Sequence, residues 1–360
     1  MTEPAISFGT PVFTVKGELA ADMARDCVKM EIDEGVEGLK TLRLYLNAVG
    51  PGAPGPPEKM QYLDGQQVDF GVPLQVAIGP RSGQRVAFDG VISAIEAVFA
   101  DAEPPLVVVS AEDAFMRLRM TRRSHTYTDV TDADIVGEIA RFHGLRAEVD
   151  VDGPRYDVVQ QMNQSDLAFL RERARLTRAE LWCDGNVLHY ASRTKRNGTR
   201  LTLVQSNELL GIRLCADLAH QRTEVIVTGY DARTAGTIEE SADSAVVTAE
   251  AAAGRVGPDV LEKALGASVS LRVREVALNS AEAAAYAKAE MLRRARSFVT
   301  VMGTTRGTPD MTVGSILDLR AVGKAFDGDG YYVTRVQHTF DLERGLRTHF
   351  EAERSTVNLA

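Results

Sequence analysis

The chain has 360 residues but only three cysteines and one tryptophan, and no apolar run approaches the roughly 18–20 residues that a membrane helix needs. Cys27, Cys183 and Cys215 lie far apart, form no CxxC pair and cannot all be bridged. Each is expected as a reduced, packed thiol in a protein made in the cytoplasm. The first eight residues lack the basic start and apolar stretch of a secretory signal. A surplus of positive charge is missing too. The formal net charge of −9 argues against a dedicated nucleic-acid binder, which needs a basic face to neutralise phosphates. One local exception is the cluster Arg117, Arg119, Arg122 and Arg123 beside His125 and Tyr127. It reads either as a solvated helix end and turn or as a docking patch for an acidic partner protein.

Catalytic signatures are equally scarce. The six histidines (His125, His143, His189, His220, His338, His349) form no HExxH and no i,i+4 pair. There is no GxSxG, no P-loop and no GxGxxG between a strand and a helix. His338 and His349 sit on opposite arms of a final hairpin. Matching its apolar faces sets Val336, His338 and Phe340 against Leu346, Thr348 and Phe350, which sends His349 to the other face and disfavours a shared metal. Acid pairs such as Glu239-Glu240 lie where nothing desolvates them. No catalytic, cofactor-binding or metal-binding residue is therefore expected, and the chain is not expected to be an enzyme. The two acids of a glycosidase obey no spacing rule, so a tail-associated wall-degrading or glycan-binding protein stands as the alternative reading.

What is present is an ordinary globular composition, 44% hydrophobic and 25% charged, on a chain long enough for two or more domains. Period-2 alternation marks strands through the first 110 residues, interrupted by the Gly/Pro-rich residues 50–57, expected as a loop tip. Residues 111–200 read as an α+β module. A capping box at Thr131 opens a helix through Ile135, Ile139 and Phe142, a second helix begins near Ser165, and a hairpin turns at Asp184-Gly185-Asn186. Strand character returns from Leu201 to Leu214 and from Thr223 to Gly229. Residues 235–267 show little periodicity and are expected as a loosely held insertion, followed by an Ala-rich helix capped by Ser280. The remainder is β again.

The two β-rich ends resemble each other. Gly71 to Ile78, then Ala87-Phe88-Asp89-Gly90, then Val91 to Ile95 matches Val313 to Leu319, then Ala325-Phe326-Asp327-Gly328, then Tyr332 to Val336. Phe88, Asp89, Gly90 and Phe326, Asp327, Gly328 are read as equivalent structural turns, with both phenylalanines buried. Three copies of a chain with two similar β-domains would offer six similar domains to a neighbour, which lets a three-fold ring meet a six-fold tube. The strands Leu106 to Ser110 and Leu346 to Phe350 are expected at or near subunit or domain seams.

Gln161-Met162-Asn163-Gln164-Ser165-Asp166-Leu167-Ala168-Phe169-Leu170 resembles the Q-x-N-x-S-D-x-x-F-L signature of the phage late control gene D family, which includes contractile-tail baseplate hubs and the N-terminal half of VgrG spike proteins. Residues 71–90, 110–118, 131–145 and 330–340 are similar to further pieces of that pattern, in order. The resemblance implies a mainly β, α+β fold. Two duplicated antiparallel β-barrel-like tube domains, with peripheral α+β modules, would assemble as a trimeric ring. The domains implied are 1–110, a middle module 111–200, a discontinuous second tube domain 201–231 with 297–360, and 232–296 as insertion and helix. The implied role is a structural hub of a contractile phage tail, tailocin or related injection system, assembled in the bacterial cytoplasm and carried in a virion or phage-tail-like particle. The implied partners are itself, a separate spike protein, a tail tube or tube-initiator protein and baseplate wedge proteins, with no membrane insertion and no specific nucleic-acid binding. If such a hub rings a conduit, its inner wall is expected to carry Asp, Glu, Ser, Thr, Gln or Asn more often than Lys or Arg. The Arg117–Arg123 cluster is then expected away from the axis.

Overall fold

Alternation builds the largest element. In the computed structural model, which describes residues 10–49, 60–80, 83–101, 103–251 and 253–358, the strands with apolar–polar alternation merge into a thirteen-stranded sheet. The N-terminal segment and the Gly/Pro-rich residues 50–57 lie outside the described residues. One half of the sheet comes from β1 (Val12–Val15), β2 (Glu18–Leu19), β3 (Cys27–Gly35), β4 (Thr41–Asn47), β5 (Pro73–Ile78), β6 (Arg85–Val98) and β7 (Leu106–Glu112), with the short helix α1 (Ala21–Asp26) between β2 and β3. On β4, Leu42, Leu44 and Leu46 are buried while Arg43 is exposed, as a strand with one wet face requires. Its core packs Phe13, Met30, Leu44, Val76, Phe88 and Val109, each nearly solvent-free. Burying such side chains contributes about 1.5–3 kcal/mol apiece.

The chain then leaves the sheet. α2 (Phe115–Met120), β8 (Arg122–Val130), α3 (Asp132–Phe142), β9 (Arg146–Asp150), β10 (Tyr156–Ser165), α4 (Asp166–Thr177), β11 (Ala179–Asp184) and β12 (Val187–Ser192) form the expected α+β module. Thr131 closes a complete capping box with Asp134, and Gly144 (φ 69°) turns the chain out of α3. Ile135 and Ile139 are buried. Phe142, expected with them, is 60% exposed although it shares their face, because it is the last residue of α3 and lies at the margin of the core, where the Arg123 guanidinium covers its ring. β11 and β12 pair as the predicted hairpin.

β13 (Arg200–Val204) and β14 (Leu209–Ala216) return to the large sheet. β15 (Glu224–Asp231) does not. The family resemblance implies a place for it, with residue 201 onward, in the second β-domain, yet it sits between β16 (Gly236–Asp243) and β18 (Val269–Ala277) in a separate sheet. Val225 and Val227 point away from the large sheet into the core shared with the middle module. The supposed loose insertion is likewise structured. β16 leads into α5 (Ser244–Thr248), β17 (Arg255–Val256) and α6 (Gly257–Leu265). Few side chains hold it, but Ile238, Ala242, Val247 and Leu261 are all buried. Asp243 caps α5 and Pro258 opens α6. α7 (Ser280–Arg296) covers β15 and β16, capped by Asn279 rather than by Ser280.

β19 (Val299–Arg306), β20 (Ile316–Arg320), β21 (Gly328–Asp341) and β22 (Gly345–Arg354) complete the sheet, and β23 (Thr356–Val357) pairs with β17. β7 and β22, expected at or near seams, have both edges occupied, and β22 lies next to β21, the strand that pairs with β3. Of the cysteines, Cys27 is buried as expected, but Cys183 is only partly covered and Cys215 is exposed, because β14 turns it to the wet face of the sheet.

Candidate functional site

The signature segment proves to be a structural joint. Gln161 Nε2 donates to Asp166 Oδ1 at 2.8 Å, Arg123 Nε donates to the same oxygen at 2.9 Å, and His143 Nε2 lies 2.8 Å from Oδ2. Asp166 is fully buried, so four elements (β8, α3, β10 and α4) are tied through one carboxylate. Asn163 takes a left-handed φ of 45° inside the bulge where β10 slips against β8. Ser165 Oγ caps α4 by accepting from the Ala168 amide, while Phe169 and Leu170 enter the core. Each signature position therefore serves cap, bulge or core. The arginine cluster is divided: Arg123 is spent on Asp166, Arg119 pairs with Glu112 at 2.8 Å, and Arg122 donates to the Asn163 carbonyl.

A second polar joint, invisible in the sequence, fastens the middle module to the large sheet. Arg196 pairs with Glu34 at 2.5 Å, and Lys40 holds the same carboxylate at 2.9 Å. Burial pushes the Glu34 carboxyl up, but Lys40 and Arg196 hold it below the usual carboxylate range. Tyr332 donates to Glu180 at 2.6 Å, and Arg193, whose guanidinium lies over the Tyr332 ring, pairs with Glu353. No signal at this sequence separation could have revealed these pairs.

The repeat residues fall in two different settings. Phe88 is buried, but Asp89 and Gly90 are inside β6, opposite Gln75 and Leu74, and not in a turn. A Cβ on Gly90 would lie 2.3 Å from the Glu112 carbonyl oxygen, so close strand approach, not turning, calls for glycine there. Phe326 is only partly buried, Asp327 is in the loop before β21, and Gly328 (φ 119°) opens that strand. The four-residue match is therefore out of register, since Asp-Gly serves a strand in one place and a strand entry in the other.

The pairing order nevertheless occurs twice. One half runs β3-β4-β7-β6-β5 and the other β14-β19-β22-β21-β20. The correspondence reaches single hydrogen bonds. The Gly71 amide donates to the Ile92 carbonyl at 2.8 Å, and the Gly314 amide donates to the Val333 carbonyl at 2.9 Å. The Ile92 amide donates to Val72, and the Val333 amide to Ser315. β6 slips one residue against β7 between Ile92 and Ala94, as β21 does against β22 between Val333 and Arg335. The halves meet where Arg335–Asp341 of β21 pairs antiparallel with β3. The face turned away from the cores is polar and laced with ion pairs: Lys29–Glu31 at 2.8 Å, Arg43–Glu96 at 3.3 Å, and Arg335 to Asp33 and Glu351 at 2.7 and 3.4 Å. His349 lies on this face and His338 is buried on the other, in the register the apolar pattern predicted. Among the described residues no group of three or more His, Cys, Asp or Glu is placed to hold a metal.

No curated protein matches the sequence. Solved structures share its fold. The 43 kDa tail protein of prophage MuSo2 from Shewanella oneidensis superposes with a TM-score of 0.68 at 13% identity, over 96% of this chain and 98% of that one. The tail protein from Neisseria meningitidis MC58 gives 0.64 at 11% identity, over 96% of both chains. The E. coli c3393 protein, described as a component of the type VI secretion system, gives 0.55 at 14% identity, over 95% of this chain and 76% of that one. The mainly β architecture is thus a phage-tail-protein fold. The family model described as the Alg8 N-terminal domain matches residues 52–341, and the chain belongs to that family.

Proposed function

We propose that the chain is a structural hub of a contractile phage tail or related injection system, three copies of which form a ring between a six-fold tube and a three-fold spike. The observation that supports this most is the strand order found twice in one sheet, down to matched bulges and hydrogen bonds. Two similar halves per chain give six per ring, which reconciles the two symmetries. The likeness to phage tail proteins agrees in fold. The proposed role needs no chemistry from the chain. Its most buried carboxylates, Asp132 and Asp166, are consumed by Arg173 and by Arg123 with His143, where they act as joints rather than as acids or bases. Light scattering on the purified chain tests the stoichiometry, with three copies per particle expected. A particle that stays monomeric at every concentration, with and without spike protein, overturns it.

A further inference from the structure

β21 serves two neighbours along one edge. As far as Val333 that edge holds β20 and Ser315, and from Arg335 onward it holds β3. β6 begins alike, holding β5 and Val72 as far as Ile92. Beyond the bulge, however, the same edge of β6 has no partner among the described residues. The strand that β21 grips, β3, is the outer neighbour of β4. Its counterpart β14 is the outer neighbour of β19, ends the sheet, and beyond an isolated bridge from Leu209 to Gln205 is also unpaired on its far side among the described residues. One joint is made inside the molecule, and both halves of an equivalent joint are left open.

We propose that the β6 edge of one copy of this chain pairs antiparallel with β14 of a second copy, repeating between molecules the β21–β3 joint within one. Matching the bulges fixes the register. Gln337 opposite Asp33 becomes Glu96 opposite Cys215, and Phe340 opposite Met30 becomes Phe99 opposite Ile212. The side chains agree with this register. Phe340 is 7% exposed because it reaches into the core of the other half, whereas Phe99 is 72% exposed with no such core to enter. Ile212 and Leu214 are only partly buried at the edge of the second core, where Phe99 would arrive. Arg335–Asp33 ties the internal joint, and Glu96 would lie diagonally across from the exposed Arg213. The stretch Ser93–Val98 has neither lysine nor proline to blunt an open edge, as strands that stay unpaired in solution usually do. Because β6 and β14 are different surfaces, the contact is head-to-tail, and a closed ring satisfies every edge.

This joint deepens the ring reading and rests on its self-association. Cys215 is native and exposed, so Glu96→Cys supplies the opposite thiol. Mild oxidation of that variant is expected to give covalent multimers on a non-reducing gel, and Cys215→Ser in the same chain is expected to abolish them. Phe99→Asp, at a site exposed in the single chain, is expected to leave the fold intact and weaken association about tenfold or more. Particles of three copies that never cross-link while Cys215 remains reactive overturn the joint and leave the ring standing. A chain that stays monomeric overturns both.

Discussion

At the scale of single residues, what could be read from the sequence was whatever follows period 2. His338 and His349 were separated onto opposite faces by alternation alone, and the β21–β22 register agrees. What could not be read was long-range pairing. The partners of Asp166 come from positions 123, 143 and 161, and those of Glu34 from 40 and 196. No local spacing encodes them. The burial of His338 has a measurable consequence. Burial, with Lys40 nearby, lowers its pKa from 6.5 to about 4, and Nδ1 lies 3.0 Å from Thr348 Oγ1. Above pH 6.5 the imidazole is neutral in both folded and unfolded chains and costs nothing. Between pH 6.5 and 4 the unfolded chain takes up a proton that the folded chain refuses, so stability falls as pH falls through that window. Over the whole window the loss is about 3 kcal/mol. A His338→Gln variant lacks this term while keeping the same carboxylates. Denaturant titrations at pH 7 and pH 4 should show wild type losing about 3 kcal/mol more than the variant. An equal loss in both proteins would mean that the histidine is accessible in the fold.

At the scale of elements, caps and hairpins were legible because their chemistry is local: the Thr131 box, the Ser165 cap and the β11–β12 turn all lie within a few residues. Residues 236–265 were not, since five widely spaced apolar anchors, Ile238, Ala242, Val247, Val256 and Leu261, leave little periodic trace. β15 carried a strand's pattern, but alternation does not say which sheet a strand joins. The Ala-Phe-Asp-Gly repeat is the most instructive case. Its strands recur in order, yet Gly90 is required by a carbonyl pressed against its Cα and Gly328 by a positive φ. The two glycines should therefore fail differently. Gly90→Ala must push β7 from β6 or displace the Phe88 ring, which a Cβ would meet at 2.7 Å. Overpacking of this kind costs about 1–3 kcal/mol. Thermal unfolding of the variant should show a Tm lowered by a few degrees, on the order of 2–8 °C for such a loss. No change in Tm would mean that β6 and β7 are less closely joined than their geometry shows.

At the scale of the whole molecule, the sheet has one face committed to cores and one face left wet. The wet face bears on what could slide past it. If this face lines a conduit, as the hub reading requires, each free cation on it would hold a passing phosphate, and several in a row would turn a channel into a binding site. Three of its cations are not free, whereas Arg213 on β14, Arg306 on β19 and Arg347 on β22 have no carboxylate partner among the described residues. Lys29 is held by Glu31, Arg43 by Glu96, and Arg335 by Asp33 and Glu351 together. Between them stand Thr300, Thr304, Gln337, Thr339 and Ser110, which offer hydroxyls and amides but no charge. The excess of acid in the chain, a formal −9, adds a repulsive background. The Arg117–Arg123 cluster lies on α2 and β8 of the middle module, where Arg119 and Arg123 are already paired. The assembled protein is therefore expected to hold duplex DNA only weakly at about 0.1 M salt, through these three unpaired arginines at most. Freeing one cation should change that in a defined direction. With Asp33→Asn and Glu351→Gln together, Arg335 loses both partners without any change of side-chain size. DNA binding should then strengthen, with the slope of log K against log salt steeper by about one unit for the arginine released. Wild-type protein that already binds DNA with a steep salt slope would mean that the ion pairs do not neutralise this face, and that it is built to hold nucleic acid rather than to let it pass.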